Sequence, residues 1–361
     1  MKKTVCLILA LTMLCASAAP VFAAGEPAPE ETVITVDYDR IAEHIAENNP
    51  AVLSVLQAYH KLRLQLNALE SSHSDLLKSP LSLMEIASPA MTLQNAMKEL
   101  SDALKNMDKD LNKAADGQIH VARMMYLRQF ILTEQLQTAE RALAAAKRDM
   151  ELYLKKLEIG LISQSTPESF EKIVTAHTDA VKALRKASDD NLTALSDLLG
   201  INTPIQLGAL PEIELGGIKE RDLKADLAAY TLSASDVQAK KAAYNNASDA
   251  LASASNAANI YARDVAKKNY ETAKVLAARD FPRVYGDLSD IYEDHISSSA
   301  VKDAEKDLDK LQKQFDAGFV SLNTVIAAER ALADAKSKYE QERLSVFTAL
   351  LQYEYDLIDR E

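Results

Sequence analysis

Between Pro89 and Gly160, apolar residues return in alternating steps of four and three. They are Leu93, Met97, Leu100, Leu104, Met107 and Leu111, then, past a weaker patch around Gly117, Leu132, Leu136, Ala139, Leu143, Ala146, Met150, Tyr153 and Leu157. This spacing lays one stripe along a helix and defines a coiled-coil seam. At 1.5 Å per residue the span predicts a helix roughly 100 Å long. A helix of that length is stable only when its stripe packs on neighbours, each buried Leu contributing on the order of 1.5–3 kcal/mol before entropic losses. The seam returns near the C-terminus. Val301, Ala304, Leu308, Leu311 and Phe315 lead into a turn, and Ala328, Leu332, Ala335, Tyr339, Val346, Leu350, Tyr353 and Leu357 lead out of it. Alanine at many seam positions lets helices approach closely. The expected fold is all-α: two repeated long antiparallel coiled-coil hairpins with little or no β-structure.

The two turns superpose when the chain is shifted by 158 residues: Leu157-Glu158-Ile159-Gly160-Leu161-Ile162-Ser163 lies over Phe315-Asp316-Ala317-Gly318-Phe319-Val320-Ser321. Thr166 then matches Thr324, Glu171 matches Glu329, and Leu192 and Leu199 match Leu350 and Leu357. At a different shift, Val52 and Ala58-Tyr59 fall over Val237 and Ala243-Tyr244. Such internal similarity predicts a duplicated unit. Gly160 and Gly318 are suited to end the incoming helices, because glycine takes the left-handed conformation without steric cost. Thr166 is expected to cap the outgoing helix with Pro167 at its first position, and Thr324 to cap the second. Between glycine and cap lie apolar pairs, Leu161 with Ile162 and Phe319 with Val320. One such pair can simply staple a turn; duplication at both tips points to a partner.

The N-terminus carries Lys2 and Lys3 before an apolar run from Val5 to Ala16, with Val21-Phe22-Ala23 fitting a signal-peptidase site. Residues 1–23 are thus expected to be a cleaved signal peptide, too short for a membrane anchor, and the protein to be exported to the periplasm or cell envelope. Residues 24–34 form a proline- and charge-rich leader, expected to be disordered. The expected organisation is a first hairpin repeat at 35–201, a breaker-rich linker at 202–218 that alone favours short extended structure, and a second repeat at 219–361. Prolines 50, 80, 89, 167, 204, 211 and 282 stand where helices should begin, bend or stop. Arg279 to His295, following Phe281-Pro282, reads either as a bulge in one long helix or as a separate loop.

Cleavage removes both cysteines, Cys6 and Cys15, so packing alone must stabilise the mature chain. It also leaves 39 basic against 53 acidic residues, a formal charge of −14, which argues against nucleic acid or an anionic membrane surface as partner.

In these features the chain resembles the outer membrane efflux protein family, the TolC-like channels. Members have two repeats, each opening with a short helix that carries an Asn-Pro, here Asn49-Pro50 after Thr35-Val36-Asp37. A long helix then ends in a motif like Tyr/Phe-x-x-Gly-x-x-Ser, matched by Leu157-x-x-Gly160-x-x-Ser163 and Phe315-x-x-Gly318-x-x-Ser321. The return helix ends near Leu-x-x-Leu-x-Gly, as Leu195 to Gly200 do. The resemblance implies a homotrimer whose helices form an export tunnel for small molecules or proteins. Its tips would dock on a periplasmic adaptor (membrane fusion) protein coupled to an inner-membrane pump. The docking residues it implies are Gly160, Leu161, Ile162, Ser163, Gly318, Phe319, Val320 and Ser321.

The chain departs from the family in two ways. Members insert a pair of membrane β-strands in each repeat, whereas Lys78 to Met91 is too short for two spanning strands and Asn245 to Asn259 has no alternating pattern. Many members carry an acidic residue six positions after the tip glycine; Thr166 and Thr324 stand there instead. A non-conducting coiled-coil scaffold or spacer of the envelope is the alternative.

No catalytic or cofactor-binding constellation is legible. The histidines at 44, 60, 73, 120, 177 and 295 lack metal-ligand spacing. No Gly-rich phosphate loop or nucleophile elbow occurs. Acidic pairs such as Asp189-Asp190 suit a solvated helix face.

Overall fold

The computed structural model describes residues 33–79, 83–161, 167–212 and 215–358. The expected signal peptide and the expected leader up to residue 32 lie outside the described residues. The fold is all-α: β1 (Ile34–Val36), α1 (Ile41–Asn48), α2 (Pro50–Leu77), α3 (Leu83–Glu158), α4 (Pro167–Leu199), β2 (Ile205–Leu207), α5 (Leu223–Ser233), α6 (Ser235–Ser253), α7 (Ala257–Ser297), α8 (Ala300–Asp316) and α9 (Leu322–Leu357), with short 3-10 turns at Tyr38–Arg40 and Gly216–Ile218. By contact these residues form two compact units. One holds the described residues up to Tyr126 with Leu192–Pro211, the other Leu127–Asn191 with Glu212–Asp359.

In the first unit, β1 and β2 pair in parallel, Ile34 opposite Ile205 and Val36 opposite Leu207. Ile34, expected in the leader, is thus the first residue of a strand. Its amide donates to Pro204 O at 3.1 Å, and Gly208 N donates to Val36 O at 2.8 Å. This backbone pairing offsets the ordering cost of an otherwise exposed segment. Extended structure in the linker falls at β2. Ile41 and Ile45, one helical turn apart, are fully buried on α1, along with Val36, Ala122, Tyr126, Leu195 and Leu199. Tyr126 sits edge-on to Tyr38 and its hydroxyl donates to Ala209 O at 2.9 Å. Burial, helped by nearby Asp37, pushes its phenol up to about 12.

The junction between α1 and α2 shows why Asn-Pro stands there. Asn49 Oδ1 accepts from the amides of Ala51 and Val52, both at 3.0 Å, while Pro50 takes the first helical position, where no amide bond is lost. The opposite end of the same side chain, Nδ2, donates to Leu198 O at 2.6 Å. One buried residue therefore caps α2 and holds the end of α4. That end is closed by Gly200 at φ 69°, with Gly200 N donating to Asp197 O and Ile201 N to Ser196 O.

In the second unit, α3 and α4 run antiparallel. Gln129 donates to Ser188 Oγ at 2.6 Å and accepts from Asn191 at 3.0 Å; further along, Arg185 meets Glu140 at 2.6 Å and the rings of Tyr153 and Phe170 lie 4.9 Å apart. Advancing on one helix retreats on the other. The buried amides of Gln129 and Asn191 satisfy each other, so the polar pair adds specificity without an orphaned group.

α9 likewise runs back along α8 and α7. Lys336 reaches Glu305 at 3.2 Å, His295 lies against Tyr339, and Phe281 lies against Tyr353. The core here joins Ile218, Phe281, Leu288, Tyr292, Val346, Leu350 and Tyr353. Tyr353 donates to Asp226 at 2.9 Å, and Arg221, 4.9 Å above its ring, also pairs with Asp226 at 2.9 Å and Glu354 at 3.2 Å. α6 and α7 form a second antiparallel pair through Val237, Ala273 and Ala277. At the end of α5, Ser233 Oγ donates to Asp356 O, the next-to-last helical carbonyl of α9. This is the counterpart of the bond from Asn49 to Leu198 at the end of α4.

Two prolines do not stop their helices. α3 begins at Leu83 and continues through Pro89, and α7 continues through Pro282, so Arg279 to His295 is helix rather than loop. Each loses one backbone hydrogen bond, and packing of the helix outweighs that loss. α6 and α7 are joined directly by Ala254–Asn256, where Asn256 caps α7 by accepting from Asn259 N at 2.9 Å.

Candidate functional site: the two hairpin tips

The first tip is built by the end of α3. Gly160 adopts φ 70°; its amide donates to Leu157 O at 3.0 Å and that of Leu161 to Lys156 O at 2.9 Å. This is a Schellman closure, in which the left-handed glycine lets two otherwise orphaned carbonyls find donors. The second tip repeats it at the end of α8: Gly318 adopts φ 77°, its amide donates to Phe315 O at 2.9 Å, and that of Phe319 to Gln314 O at 2.8 Å. A Cβ on either glycine would meet no atom within 4 Å. Glycine is required at both tips for its backbone conformation, not for space.

The closure turns apolar side chains outward. Phe319 is 81% exposed and Leu161 70%; their neighbours Ile159 at 68% and Leu322 at 56% extend the same character. Ile159 and Leu322 adjoin the closing motif but are not among the docking residues that the family resemblance implies. Val320 is half-buried, and Val325 in the first turn of α9 is buried. Beside Phe319 a shallow open groove of about 400 Å³ is lined by Asp309, Lys310, Lys313, Gln314 and Ala317, with Lys313 paired to Asp309 at 2.6 Å.

Cap assignment at the second tip differs from expectation. Ser321, not Thr324, is the N-cap of α9: its Oγ accepts from Thr324 N at 3.3 Å and lies 3.1 Å from Thr324 Oγ1. A cap must have extended backbone, and Ser321 does, at ψ 156°; Thr324 is already in the first turn. Pro167 is the first residue of α4. Ile162, Ser163 and Thr166 lie outside the described residues.

Among the described residues no group of His, Cys, Asp or Glu could hold a metal ion, and no helix is long and apolar enough to cross a membrane.

No family profile matches the chain, and no curated protein does. Solved structures do. A membrane protein from Pseudomonas aeruginosa superposes with a TM-score of 0.52 at 12% identity, covering 95% of this chain and 97% of that one. The Campylobacter jejuni CmeC outer membrane channel gives 0.52 at 12% identity, with 94% of each chain covered. CusC, which forms a transmembrane channel, gives 0.50 at 14% identity, covering 94% of this chain and 99% of its own. The chain therefore has the TolC-like fold of these outer-membrane channels.

Proposed function

We propose that this chain is one protomer of an exported, TolC-like conduit, acting in the cell envelope and docking an adaptor protein through its two hairpin tips. The conduit would be a homotrimer of a duplicated hairpin, carrying small molecules or proteins outward and coupled through the adaptor to an inner-membrane pump. Its work is passage and binding rather than a chemical reaction.

One observation supports this above the others. Both tips are closed by the same glycine-centred turn, and both present large apolar side chains to solvent. A single exposed Leu or Phe is ordinary on a protein surface. Two matched ones, held outward by a closure that fixes the backbone, form a preorganised surface for an apolar partner. Acidic side chains at Leu161 and Phe319 test the reading. Leu161→Asp and Phe319→Asp should each reduce co-purification with the cognate adaptor about tenfold or more, with helical content unchanged. Undiminished co-purification of the double variant would overturn the tip assignment.

A second reading, a non-conducting coiled-coil spacer, is favoured by the direct turn from α6 to α7. Solute flux through liposomes carrying the purified protein separates the two, since only a conduit passes solute.

A further inference from the structure

His295 occupies the last turn of α7, two residues before that helix ends at Ser297. Ser298 and Ser299 then interrupt the helix before α8 begins at Ala300 and leads to the second tip. The imidazole is 4% exposed, and its Nδ1 has no hydrogen-bond partner. It packs on the Tyr339 ring of α9 at 4.5 Å, the ring contact that holds the end of α7 against the return helix. A neutral imidazole fits this place; a charged one does not, because its second N–H would be buried without an acceptor.

The carboxylates around it are held by other groups, although Glu342 and Glu340 still favour the charged ring. On α9, Glu340 is paired with Arg343 at 3.0 Å and Glu342 with Lys338 at 3.6 Å. From α3, Glu134 accepts from Ser337, two residues before Tyr339. On α8, Asp303 accepts from Ser299 at 2.6 Å. Every one of these carboxylates already has a partner.

We propose that His295 makes the α7–α8 junction an acid-sensitive hinge: a proton on its ring releases the end of α7 from α9 and frees the segment leading to the second tip. Burial holds the ring below the ordinary histidine value of 6.5, against the opposing pull of Glu342, while Arg343 lowers it further. The sign follows from linkage. A group whose protonation is disfavoured in the folded state contributes stability that is fully present above its unfolded value, and that is lost as pH falls. The hinge is a property of the chain alone and does not rest on the conduit reading.

Amide hydrogen exchange of the full chain, read by mass spectrometry at about pH 7.5 and about pH 5, tests it. After correction for intrinsic exchange, peptides spanning 289–306 should open about tenfold more readily at the lower pH. His295→Phe keeps the ring contact and removes the titration, so its exchange should be independent of pH. Should that variant lose helicity at neutral pH, His295→Gln carries the same comparison. Equal protection of the wild type at both pH values, or the same acid-induced opening in the substituted chain, would overturn the proposal. Histidine-labelled NMR gives a second reading: a His295 ring titrating at or above the ordinary value would also overturn it.

Discussion

Gly160, Gly318 and Gly200 close three helices in the same left-handed conformation, but the third does so under an additional constraint. At the two tips a Cβ would meet open space, so alanine costs only the backbone penalty of the left-handed region, about 1 kcal/mol. At Gly200 the same Cβ would lie 2.1 Å from Asn48 O, where the end of α1 presses on the end of α4. Relief requires moving backbone, so Gly200→Ala should cost about 3 kcal/mol or more. Urea unfolding of the three variants checks the order, and equal losses would contradict it. The conformational need at these glycines is visible in sequence, because helix periodicity stops at each. The close approach at Gly200 is not visible, since Asn48 lies far away along the chain. Asn49 divides the same way. Its capping role follows from Asn-Pro before an apolar run, whereas the bond from its amide to Leu198 O depends on how α4 returns.

The seams on α3, α8 and α9 are legible as elements because four-three spacing survives over many turns; every seam residue from Leu93 to Leu111 is half-buried, as an edge-on stripe should be. Helix ends are less legible. Pro89 and Pro282 look like terminators from local propensity, but tertiary packing decides otherwise, with Phe281 and Leu288 buried on either side of Pro282. The ambiguity at the second tip has a local cause: Ser321 and Thr324 are both good caps three residues apart, and only the backbone angles choose between them. An exposed proline inside α7 still leaves Ala278 O without its helical donor. Pro282→Ala should therefore stabilise the protein by about 1–3 kcal/mol, read as a higher Tm. A fall in Tm would mean that the proline fits a bend on which the core depends.

At the scale of the whole molecule, the chain leaves much of its apolar seam unfinished. Leu136, Ala139, Leu143, Met150 and Tyr153 on α3 are only half-buried, as are Val301, Ala304, Leu308 and Leu311 on α8. Tyr261, Val275 and Leu276 of α7 are exposed outright. Seams of this kind are completed by further helices. The proposed conduit makes those further helices the ones of two more copies, three chains around a passage. Multi-angle light scattering of the purified mature protein tests that claim most directly. The account predicts a mass three times that of a single chain, persisting on dilution into the low micromolar range; a stable monomer at those concentrations would contradict it.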